Sequence, residues 1–115
     1  MLDLSLYVPV SAMPAIRRDL SVALDPSDAV EVLGDRVRDA LGPDADAIEE
    51  VSILSETPHD LVPPAARERL GLGVGQRNVL VRVVLRELHR TLTADRANRL
   101  RDRIVAAIHR GAVAS

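Results

Sequence analysis

Residues 78–88, NVLVRVVLREL, run without a glycine or proline and alternate at a period of two. That period sends Val79, Val81, Val83 and Leu85 to one face of a strand and Leu80, Arg82, Val84 and Arg86 to the other. The first set is wholly apolar and must be covered by a second layer; the second set, which mixes arginine with aliphatics, suits an open sheet surface.

RRDLSVALD (17–25) alternates in the same way, with Leu20, Val22 and Leu24 opposed to Asp19, Ser21 and Ala23. From Asp25 the period changes, and Val30, Leu33, Val37, Ala40 and Leu41 fall on one helical face, with Ser27 as the expected N-cap, Asp28 near the positive end of the dipole and Gly42-Pro43 as the stop. Val51 and Ile53 carry a second strand over 48–55. Residues 57–77 hold three prolines and three glycines and read as a connection containing a short helix at roughly 64–70, with Pro64 in its first turn and Gly71 at its end. Thr93 is placed to cap a helix reaching about Arg110, Gly111 ends it, and AVAS leaves a stub of a strand. Before all of these, Leu2, Leu4, Leu6, Val8 and Val10 alternate, with Pro9 best tolerated on a sheet edge. The order predicts an α+β fold of the ferredoxin-like, split βαβ kind: an antiparallel sheet with two helices on one face and an extra N-terminal edge strand. Residues 1–12 form that edge strand and a linker, and 13–115 the domain proper.

A chain of 115 residues forms one domain, burying roughly two-thirds of its unfolded surface. Formal net charge is −2, and all fifteen basic residues are arginine, so any attraction for phosphate must be local. Absence of cysteine excludes disulfides and thiol chemistry. With neither a basic leader nor an apolar run of about 18 residues, a cytoplasmic protein without membrane contact is expected. Tyr7 is the one aromatic residue, which removes most base stacking from any RNA contact.

Catalytic patterns are lacking. His59, His89 and His109 have no ligand-like spacing, no serine, histidine and acid fall together in one element, and Glu49-Glu50 would point to opposite faces of a strand. GLGVG (71–75) neither follows a strand nor opens a helix, so it reads as turn punctuation rather than a phosphate loop. No enzyme activity, cofactor or metal is expected.

The arginines carry the remaining signal. At 100° per residue, Arg96, Arg99, Arg103 and Arg110 project within a sector roughly 60° wide beside the apolar face of Ala97, Leu100, Ile104, Ala107 and Ile108, with Asp95 and Asp102 next to Arg99. The stripe is either a solvated helix face or a phosphate contact. On the open sheet face Arg82 and Arg86 share parity and Arg17 falls on another strand, with Asp19 able to pair there; these residues either form cross-strand ion pairs or meet RNA.

MPAIRRDLSVALD, GQRNVLVRVVLR and RTLTADRANRLRDRIVAAI together resemble the ferredoxin-fold anticodon-binding domain found at the carboxyl end of bacterial phenylalanyl-tRNA synthetase β subunits, over about residues 13–112. The most specific elements are Arg17-Arg18-Asp19-Leu20, Arg90-Thr91-Leu92-Thr93 and Asn98. The resemblance implies a non-catalytic module that packs against the anticodon stem and loop of tRNA, aminoacylation belonging to a separate domain for which this chain has no room. Candidate contacts are Arg96, Arg99, Arg103, Arg110, Arg82, Arg86 and Arg17. The alternative is a protein-interaction or assembly module, joining a partner or a second copy through its edge strand.

Overall fold

A computed structural model describes residues 14–87 and 89–111. The expected N-terminal edge strand and the AVAS stub lie outside the described residues. Within them the architecture is α+β: a three-stranded antiparallel sheet and three α-helices, compatible with a ferredoxin-like arrangement. In chain order the elements are β1 (Ile16–Leu24), α1 (Leu33–Leu41), β2 (Ile48–Pro58), α2 (Pro64–Leu70), β3 (Arg77–Leu85) and α3 (Ala94–Ile108).

The strand with the most regular alternation occupies the centre. β3 pairs antiparallel with β1 on one side and β2 on the other, giving the order β1-β3-β2, so β1 and β2 run parallel with β3 between them. Val79, Val81, Val83 and Leu85 are fully buried, and Leu20, Val22 and Leu24 of β1 join them on the same face. Onto this face α1 sets Leu33, Val37 and Leu41, and α3 sets Ala97, Leu100, Ile104 and Ile108, forming one continuous core. Each fully buried aliphatic side chain contributes about 1.5–3 kcal/mol relative to exposure, so this layer dominates the stability of the fold.

A smaller cluster sits elsewhere. Ala23 alternates away from Val22 and Leu24, and is buried against Val62 and Leu72 with Ala66 and Leu70 alongside. The connection containing α2 thus covers one corner of the face that alternation alone leaves open.

Helix ends follow local chemistry in most places. Thr93 Oγ1 accepts the Arg96 N–H at 3.1 Å, the cap expected from the sequence. Pro64 opens α2, and Gly71 closes it in the left-handed region (φ 65°), where Leu72 N–H reaches back to the Arg67 carbonyl at 2.9 Å. Ser27 caps nothing: a turn and a 3-10 segment at Val30–Val32 precede α1, whose start has no side-chain cap. Asp28 serves the turn instead, its Oδ2 accepting the Asp25 N–H at 2.9 Å. Ala40 is exposed rather than on the buried face: Leu33, Val37 and Leu41, four residues apart, form the stripe of α1 that meets the sheet, and Ala40 stands at its edge. β2 is longer than expected, β3 ends at Leu85, and α3 ends at Ile108, where His109 turns extended (φ −72°, ψ 130°). A bulge between Ile48 and Glu50 breaks the alternation that would have sent Glu49 and Glu50 to opposite faces.

Candidate nucleic-acid interface

Sheet register decides the fate of the open-face arginines. Asp19 lies directly opposite Arg82, and the two form a forked pair, Nε to Oδ1 at 2.8 Å and Nη2 to Oδ2 at 3.1 Å. That hydrogen bonding, with the arginine's charge, holds the Asp19 carboxyl below its ordinary value and pushes Arg82 up. Arg86 makes the same kind of fork to Glu49 at 3.0 and 3.3 Å, which the bulge in β2 brings within reach. Arg17, opposite Val84, is exposed and has no ion pair among the described residues.

The α3 stripe meets carboxylates as well. Arg96 sends Nη2 to Asp44 Oδ1 at 2.9 Å and Nε to Glu87 Oε1 at 3.3 Å. Two turns further on, Arg103 sends Nη1 to Asp44 Oδ2 at 2.6 Å and Nη2 to the Leu41 carbonyl at 3.1 Å. Asp44 belongs to the 3-10 segment Gly42–Ala47 that leaves α1, so one carboxylate ties the two long helices of the core layer together. The hydrogen bond from Arg103, then that from Arg96, holds its carboxyl low. Arg110, beyond the end of α3, reaches Asp28 Oδ2 and Oδ1 at 3.3 and 3.4 Å, where Arg36 Nη1 also arrives at 3.3 Å. Asp102 is engaged by its neighbour Arg101 rather than by Arg99.

Arg99 alone of the stripe has no ion pair among the described residues. It lines a cleft of about 180 Å³ with Arg90, Arg96, Glu87 and the Thr91–Thr93 turn at the amino end of α3. Arg90 contributes a side chain 72% exposed, 3.6 Å from Glu87. Three guanidiniums and one carboxylate thus surround the positive end of a fifteen-residue helix. Close by, Arg18 Nε donates to Asn98 Oδ1 at 3.2 Å across 80 positions of sequence.

Several organising residues carried no local signal. Asp44 and the Arg18–Asn98 link depend on partners far along the chain, and Asp28 joins the nearby Asp25 and Arg36 to the distant Arg110. Gln76 is another: its Nε2 donates to Asp25 Oδ1 at 2.8 Å and to the Arg110 carbonyl at 2.9 Å, while Oε1 accepts the Gly73 N–H at 2.7 Å. Among the described residues no three histidine, aspartate or glutamate side chains are grouped to hold a metal ion, and no helix is long and apolar enough to cross a membrane. No protein-family model matches the chain, and no curated protein is significantly similar to it.

Proposed function

We propose that this chain is a non-catalytic RNA-binding module of the ferredoxin-like, split βαβ type, which grips the backbone of a tRNA anticodon arm or a related stem-loop in the cytoplasm. The observation that carries the reading is the convergence at the start of α3. Segments 17–20, 90–93 and Asn98, on which the resemblance to the anticodon-binding domain rests, meet there through the Arg18–Asn98 bond and the Thr93 cap. The adjoining cleft adds Arg90, Arg96 and Arg99. A helix amino terminus flanked by guanidiniums favours anionic oxygens.

The arginines divide by what holds them. Arg99 and Arg17, without an ion pair among the described residues, and Arg90, largely exposed and only 3.6 Å from Glu87, are the groups proposed to touch phosphate directly. Arg82, Arg86 and Arg110 are engaged with carboxylates of the chain and serve mainly to fix strands and the exit from α3. The described residues include no phenylalanine, tyrosine or tryptophan, so recognition proceeds mainly through backbone contacts, with weak sequence preference and strong salt dependence.

Titration of the protein with an anticodon-arm RNA at low salt tests this. Wild type binds, and reversing Arg90 and Arg99 to glutamate weakens binding several-fold and reduces the salt slope by roughly 0.7–0.9 for each phosphate no longer neutralised. Failure of the wild type to bind at low salt ends the reading.

A second reading is favoured by the outer edge of β1. Ala23 is bonded there by residues 109 and 110, so its N–H and C=O point away from β3, and by alternation those of Ser21 and Asp19 do too. Among the described residues these last two find no backbone partner, and such an edge is a template for another strand. β2, at the opposite edge, is interrupted by two register shifts, which blunt pairing. A strictly monomeric species at high concentration, with no partner strand found, argues against this assembly role.

A further inference from the structure

We propose that Arg96 and Arg103 form a phosphate-binding clamp whose resting ligand is the Asp44 carboxylate, so that an RNA phosphodiester binds by taking the place of Asp44. The inference rests on the RNA-binding reading and names a site and a ligand group within it.

The geometry is that of two donors converging on two oxygens of one anionic centre. Arg96 Nη2 meets Asp44 Oδ1 at 2.9 Å and Arg103 Nη1 meets Oδ2 at 2.6 Å, an arrangement a phosphate with two free oxygens satisfies as well as a carboxylate does. Each guanidinium has a second anchor that does not involve Asp44. Arg96 is held through Nε by Glu87 Oε1 at 3.3 Å, and Arg103 through Nη2 by the Leu41 carbonyl at 3.1 Å. Withdrawal of Asp44 therefore leaves two oriented donors still aimed at one point, and little ordering remains to be done when the incoming anion arrives.

Of the carboxylates engaged by two arginines, Asp44 is also the one best placed to leave. Its side chain is 36% exposed, on a short 3-10 segment after Gly42-Pro43, and its partners are these two arginines. Asp28 also sits between two arginines, Arg36 and Arg110, yet its side chain is only 12% exposed and accepts the Asp25 N–H besides. Displacing Asp28 would open a backbone turn; displacing Asp44 exchanges one anion for another at the surface. Arg96 also borders the cleft holding Arg90 and Arg99, so the clamp extends the same basic end of the molecule.

The test uses the full chain and the variant Asp44→Asn, with Asp44→Ser serving the same comparison should the first unfold. Thermal unfolding is followed against inorganic phosphate, and anticodon-arm RNA is titrated at low salt. The expected result is a phosphate-dependent rise in Tm in Asp44→Asn that exceeds that of wild type and is removed by adding Arg103→Gln, together with RNA binding several-fold tighter than wild type. A phosphate response equal to wild type overturns the clamp. Should Asp44→Asn respond to phosphate while neither protein binds RNA, the clamp stands and the RNA reading falls. Equal RNA binding by both proteins with no gain in phosphate response removes the clamp and keeps the reading.

Discussion

His109 Nδ1 accepts the backbone N–H of Ala23 at 2.9 Å, across 86 positions of sequence. The same ring presents Nε2 to the Leu70 carbonyl at 3.1 Å, and Arg110 N–H donates to the Ala23 carbonyl at 2.8 Å. An imidazole thus does at the outer edge of β1 what a neighbouring strand's carbonyl would do, and it fixes where the chain goes on leaving α3. Ala23 is fully buried, so its N–H has no water to turn to.

Replacing the ring tests that role. His109→Leu keeps bulk but removes the acceptor for Ala23 and the donor to Leu70, and is expected to lower stability by about 1–3 kcal/mol, the cost of stranding a buried backbone group. Urea unfolding reads the change; an unchanged midpoint would show that this junction contributes nothing.

Gly111 follows from the same crossing. A Cβ at this position would stand 2.2 Å from the Leu70 carbonyl oxygen and 2.5 Å from His109 Nε2. One obstacle is backbone and the other is the ring that holds Ala23, so neither yields without disturbing the junction. Gly111→Ala is expected to cost about 1–3 kcal/mol, as for other forced overpacking. Amide exchange at Ala23 should speed up more in this variant than in the centre of β3.

Thr93 provides the cap of α3 through a hydrogen bond of 3.1 Å to Arg96 N–H. Thr93→Ala is expected to cost about 1 kcal/mol, with Thr93→Ser recovering most of it. Thermal melts of the three proteins should rank wild type and serine above alanine; equal melts would deny the cap its role.

Acid should unfold this protein through its paired aspartates. A hydrogen bond from Arg82 holds the Asp19 carboxyl low, and Arg103 and then Arg96 do the same for Asp44. Burial pushes Asp28 up, but the Asp25 N–H and the Arg110 guanidinium outweigh it, so it too is held low. The unfolded chain takes up these protons near pH ~3.9, before the folded chain does. The stabilisation is therefore complete above that value and is lost as pH falls through the depressed values. Urea midpoints measured from about pH 6 downward should stay level and then drop, and Asp44→Asn should show a shallower drop; an equally steep one would mean that Asp44 does not contribute.

Sequence alone settled the features that depend on near neighbours. The buried face of β3, the apolar face of α3, the Thr93 cap and the closure of α2 at Gly71 each follow from residues within a turn or two, because side-chain alternation and capping are local geometry. The start of α1 did not follow, since Asp28 served a turn, Arg36 and the distant Arg110 instead of a helix end. Nor did the pairing of the arginines. The sequence supplies the charges of Arg96 and Arg103, but Asp44 lies 52 and 59 positions away and comes within reach only because α1 and α3 pack side by side on one sheet face. Asp19 meets Arg82 through strand register, and Glu49 meets Arg86 through a bulge. An ion pair acts over a few ångströms, and only the packed chain sets which opposite charge lies within that distance.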